Sequence, residues 1–93
     1  MKYFKHHYEN TDHEWTDYGC YETSDITPEG YIHATVYSAD CEDGNYSYEC
    51  YDNYFDPDEI IEITEEENKH VIEQLQKVDA LKLQIDEIIS KLI

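Results

Sequence analysis

Residues 31–55, YIHATVYSADCEDGNYSYECYDNYF, decide the fold. Residues 31–39 are rich in β-branched and aromatic types, and residues 46–55 alternate Tyr and Cys with polar side chains. Between them Asp43-Gly44 is a strong signal for a two-residue hairpin turn. With that turn Glu42 opposes Asn45, Ala39 opposes Tyr48, Tyr37 opposes Cys50 and His33 opposes Tyr54. One face then carries Tyr46, Tyr48, Cys50 and Tyr54 with Tyr37 and His33. The other carries Ile32, Ala34, Val36, Tyr51 and Phe55. The pattern leaves open which face meets the core.

Upstream, residues 2–8 (KYFKHHY) and 15–23 (WTDYGCYET) read as further strands, with Gly19 marking a bulge or a close approach of backbone. Residues 9–14 (ENTDHE) read as a polar loop, and residues 24–30 (SDITPEG) as a turn. Downstream, Asp56-Pro57-Asp58 is a break, because Pro removes a ladder donor. Residues 60–63 (IIEI) form either a short strand or the start of a helix.

Thr64 followed by Glu65, Glu66 and Glu67 is a helix start. Thr64 can cap, Glu67 stands where a capping box needs it, and the acids favour the positive end of the helix dipole. Val71, Leu75, Val78, Leu81, Ile85, Ile88 and Leu92 then recur with helical periodicity. The expected fold is α+β: an antiparallel sheet of three to four strands in residues 2–63, packed by one long C-terminal helix over about residues 65–92. We expect one domain, its acidic Tyr-rich β part in residues 1–63 and its amphipathic helix in residues 64–93. A helix of about 27 residues is ~40 Å long, against ~30 Å for a nine-residue strand. Part of the stripe therefore needs burial beyond the sheet, and a homodimer through the helix is one way to supply it.

Apolar types divide along the chain. All ten Tyr precede residue 55, whereas 14 of the 17 Val, Ile and Leu follow residue 59. The first part must build its core from aromatics and the last from aliphatics. Cys20, Cys41 and Cys50 are an odd count, which favours reduced thiols and a cytoplasmic setting.

Charge carries the functional expectation. The chain holds 23 Asp and Glu against six Lys and no Arg, for a net charge of −17. Phosphate contact needs a basic surface, so direct nucleic-acid binding is not expected, nor is binding to an anionic membrane. No apolar run reaches the roughly 18 residues that cross a bilayer. Net charge on residues 1–63 is −14, matching the phosphates of roughly seven base pairs. Carboxylates at that density suit the groove of a basic nucleic-acid-binding protein or nuclease complex, and Tyr among them can receive Arg by cation–π contact. The expected contact residues are the hairpin and its flanks: Asp40, Glu42, Asp43, Tyr46, Tyr48, Glu49, Asp52, Asp56, Asp58 and Glu59. In charge and size the chain is similar to the DNA mimics that phages encode against CRISPR effectors or restriction enzymes, and to acidic immunity proteins against nuclease toxins. That likeness implies an inhibitor acting in the host-cell cytoplasm. The alternative is a small viral assembly protein that oligomerises through the helix stripe.

Catalytic and metal signatures are missing from the sequence. There is no G-x-S-x-G, P-loop or dinucleotide-binding pattern, so no enzyme activity is expected. Zinc sites show C-x₂₋₄-C or H-x₃₋₅-H pairs, but His7 and His13 are six apart and Cys41 and Cys50 nine. Counting back from Gly44, Ala39 and Cys41 fall where a calcium loop needs acids. On spacing alone, no metal or cofactor is expected.

Overall fold

The computed structural model describes residues 1–80 and 85–93, with side chains placed for residues 1–77 and 88–93. Five strands, β1 (Lys2–Glu9), β2 (His13–Tyr21), β3 (Ile32–Glu42), β4 (Asn45–Phe55) and β5 (Ile61–Ile63), form one antiparallel sheet in the order β4-β3-β2-β1-β5. A single 3-10 turn, Thr23–Asp25, lies between β2 and β3. Among the described residues two helices follow, α1 (Glu65–Ala80) and α2 (Ile85–Ser90).

The β3–β4 hairpin has the expected register, from Glu42↔Asn45 through Ala39↔Tyr48 to His33↔Tyr54. Asp43 and Gly44 have φ of 51° and 80°, both positive as a type I′ turn requires. Two expectations of local structure are corrected. The sheet has five strands instead of three to four, because residues 61–63 pair with β1 as Tyr3↔Ile63 and Lys5↔Ile61. Residues 9–14 are not a loop but a tight hairpin. The Asn10 side chain accepts from the backbone N–H of Asp12 and His13, at 3.1 and 2.9 Å. That Asx turn lets the strands run to Glu9 and resume at His13.

Both sheet faces are buried, by different means. On one face Phe4, Ile32, Ala34, Val36 and Phe55 form a core, joined by Tyr21, Tyr51 and Ile60. Phe4 is on β1 and Phe55 on β4, three strand spacings apart, or ~14 Å in a flat sheet. Their ring centroids are 5.1 Å apart, so the sheet curls and this face is concave. Gly19, on the middle strand, permits the curl. A Cβ there would lie 2.7 Å from Val36 Cγ1 and 3.2 Å from the Phe4 ring. Beside this core Asp17 is fully buried. One of its oxygens accepts from the Tyr51 hydroxyl at 2.6 Å, and the other lies 3.6 Å from His6 Nδ1.

The convex face is covered by the helices. Tyr18, Ala39, Val71, Leu75 and Ile89 form its buried cluster, with Tyr37, Tyr46, Tyr48, Ile63, Ile88 and Leu92 packed around it. Thr64 caps α1 as expected, its hydroxyl accepting from Glu67 N–H at 3.0 Å. A single helix to residue 92 is corrected to two shorter ones that touch each other. Val71 and Ile89 share one cluster, although a straight helix would hold them ~27 Å apart. Four of the seven stripe positions are placed: Val71 and Leu75 are buried on the sheet and Ile88 and Leu92 pack beside them, whereas Leu81 lies outside the described residues. The side chains of Val78 and Ile85 also lie outside the description.

Gly19→Ala tests the curl. Because the nearest atom belongs to a fully buried Val36, the added methyl forces a backbone or rotamer shift, and urea unfolding followed by circular dichroism is expected to show a loss of roughly 1–3 kcal/mol. A variant as stable as the wild type would show that the concave core does not need the gap.

Candidate functional site

Antiparallel order brings the β1–β2 and β3–β4 turns to the same end of the sheet, and Asp43 N–H donates to the Asp12 carbonyl at 2.9 Å, tying one turn to the other. This tip collects Glu9, Asp12, Glu14, Asp40, Glu42 and Asp43, with His7 and His13 among them. A shallow cleft of about 300 Å³ lies there, lined by Glu9 to Glu14 together with Cys41, Asp43 and Gly44.

On the concave side of the tip, Tyr8 stacks on Trp15 with centroids 4.2 Å apart, and His13 lies against the same indole at 4.4 Å. His13 Nε2 is 2.5 Å from Asp40 Oδ2 and 3.9 Å from Glu42 Oε2. The hydrogen bond to Asp40 is the largest influence on His13 and raises its pKa above the ordinary 6.5; partial burial opposes this, and the charges of Asp40, Glu42 and Asp43 reinforce it. On the convex side His7 Nδ1 meets the Thr16 hydroxyl at 2.7 Å. Its Nε2 faces Glu14 at 3.4 Å and Glu9 at 3.6 Å.

The ten expected contact residues do not form one patch. Asp40, Glu42 and Asp43 lie at the tip, with Asp40 half-buried against His13. Glu49 and Asp52 are exposed along β4 but on opposite faces, since alternate strand residues point oppositely. Asp52 accepts a hydrogen bond from the Thr35 hydroxyl. Asp56, Asp58 and Glu59 are at the other end of β4, where Asp56 closes a turn by accepting from Asp58 N–H at 2.9 Å. An 11-residue strand puts ~35 Å between the two ends. Tyr46 and Tyr48 are half-buried and pack on the helix-covered core, on the face they share with Ala39 and away from the concave side of the tip. Glu9, Asp12, Glu14, Tyr8 and Trp15 were not among the expected contacts. Their signal was present in the acidic run at residues 9–14, but placing it beside Asp43 requires the strand order.

The geometry thus defines a class, a curled five-stranded α+β domain with carboxylates massed at a double-hairpin tip and spread along its edge strand. Comparison of the chain with protein-family models, with curated proteins and with solved structures finds no match.

The His13–Asp40 pair makes a pH prediction. A folded pKa above 6.5 means the pair stabilises the protein fully below that value and loses its contribution as pH rises through the folded pKa. Melting temperatures of wild type and Asp40→Asn are therefore expected to differ more at about pH 6 than at about pH 9. A difference that does not change with pH would refute the ionic character of the pair.

Proposed function

We propose that this protein is an acidic mimic of nucleic acid that occupies the basic DNA- or RNA-binding site of a nucleic-acid-handling protein. One observation carries the reading. From His6 to Asn68 the chain has 19 carboxylates and no Lys or Arg, and these residues make up four of the five strands' outward surface and all of their turns. The two N-terminal lysines lie on β1, and Lys69, Lys77 and Lys91 fall in or after the helices. The β3–β4 half of the sheet therefore has no positive side chain, and the molecule is polarised.

Its longest dimension is 42 Å, the axial length of roughly 12 base pairs at ~3.4 Å each. Carboxylates at both ends of β4 and along it supply repeated negative charge over that strand's ~35 Å. A cationic groove would be drawn to such a surface by long-range steering, and DNA repelled from it. The exposed Tyr8 ring, stacked on Trp15 amid the tip acids, adds a flat surface on which a guanidinium can lie. The described part of the helix stripe is consumed by the protein's own sheet, so it does not call for a second copy.

Immobilised protein is expected to retain basic nucleic-acid-binding proteins from a cell lysate at low salt and to release them to a short DNA duplex. The triple variant Asp43→Lys, Glu49→Lys, Asp52→Lys should retain less than about a tenth as much, since single rim charges are worth little but several together set both steering and affinity. Partners that DNA does not displace, or retention unchanged by the triple substitution, would overturn the reading.

A further inference from the structure

We propose that His7, Glu9 and Glu14, on the convex side of the tip, bind a divalent transition-metal ion of the Zn²⁺ type. The site shares two tip carboxylates with the acidic surface of the proposed function, but metal binding there does not require that function.

At the tip one carboxylate pairing is unfavourable unless a cation stands beside it. Glu9 and Glu14 are directly opposite each other on β1 and β2, and like charges in that position repel. His7 is two residues from Glu9 on the same face, so its ring stands beside both carboxylates. Its Nε2 lies 3.4 Å from Glu14 Oε1 and 3.6 Å from Glu9 Oε2. These separations are close to the about 3.4 Å expected between ligand atoms arranged tetrahedrally at ~2.0–2.1 Å from one zinc. All three ligand atoms lie within 4.8 Å of one another.

The ring is also held from behind. His7 Nδ1 meets the hydroxyl of Thr16 at 2.7 Å, and Thr16 is itself buried, at 3% exposure. An orienting partner on the second nitrogen is what keeps a ligating imidazole aimed at its metal. The two strands of one hairpin supply all three ligands, so the site is preformed by the sheet register. One imidazole and two carboxylates suit zinc and its first-row neighbours better than Ca²⁺ or Mg²⁺, which take oxygen ligands. Exposure of Glu9 leaves room for water or a partner's ligand in the remaining position.

The second cluster at the tip, His13 with Asp40 and Glu42, has the same residue types but a different geometry. His13 Nε2 is already closed onto Asp40 at 2.5 Å and Glu42 stands off at 3.9 Å. It is a hydrogen-bonded pair, and it serves as the internal control.

Tag-free protein titrated with ZnCl₂ at moderate salt, followed by calorimetry and by the visible spectrum of the Co²⁺-substituted form, tests the assignment. One ion per chain is expected, with a Co²⁺ spectrum of low coordination number. His7→Ala and Glu14→Gln should each weaken binding at least about tenfold, while His13→Ala changes it less than about threefold. Circular dichroism confirms that each variant is folded. Cys41→Ser is included because Cys41 stands opposite Glu14 on β3, and it should leave binding intact. Absence of a saturable site, equal effects of His7→Ala and His13→Ala, or loss of binding in Cys41→Ser would each overturn the proposal.

Discussion

Everything in this fold depends on a missing side chain in the middle strand. At Gly19 the backbone of β2 lets Val36 from β3 and Phe4 from β1 meet across it. Once they meet, the sheet must curl, and the concave face closes on itself with aromatic rings from β1 and β4. That core needs no helix. Both helices are thereby left to the convex face, where an aliphatic stripe covers Tyr18 and Ala39. The late aliphatic residues Val71, Leu75 and Ile89 cover the convex face over Tyr18, Tyr37, Tyr46 and Tyr48, so Tyr from the strands and aliphatics from the helices meet there. The carboxylate of Asp17 is the exception inside, and it is held by the Tyr51 hydroxyl, whose own pKa is raised by burial first and by Asp17 next.

A protein of net charge −17 in 93 residues must fold against its own repulsion. The structure meets this by placing most carboxylates in turns, at the tip and on the edge strand, where water and salt screen them. The same placement gives the charge its reach. A tip made of two hairpins gathers acids from β1, β2, β3 and both turns, and of the described lysines none lies on β2, β3 or β4.

What could be read from the sequence was what depends on near neighbours. The Asp43-Gly44 turn fixes φ at two residues and so sets the register of 11 pairs. The Thr64 cap uses an oxygen and an N–H three residues apart. The α+β class, the strand segments and the helix start followed from such local signals. The curl did not, since it arises from contact between strands 51 residues apart in Phe4 and Phe55. The folding of the helical stripe into two pieces, the burial of Tyr46 and Tyr48, and the pairing of the first hairpin with the second also required the tertiary arrangement. Metal-ligand spacing rules do not address such pairings. They describe ligands on one loop or helix, whereas Glu9 and Glu14 meet across a strand pair.

The strand order leaves β4, 11 residues long, as the outermost strand on one side. A long edge is a template on which another chain can add as a further strand, and proteins guard such edges with charge. Glu49 and Asp52 on the strand, and the acids at both its ends, are that guard here. Colloidal behaviour is therefore tied to ionisation. At neutral pH two copies repel edge to edge, and in acid, as the carboxylates take up protons, the barrier to sheet extension is lowered. The carboxylates on which the proposed function rests are thus also the guard of this edge.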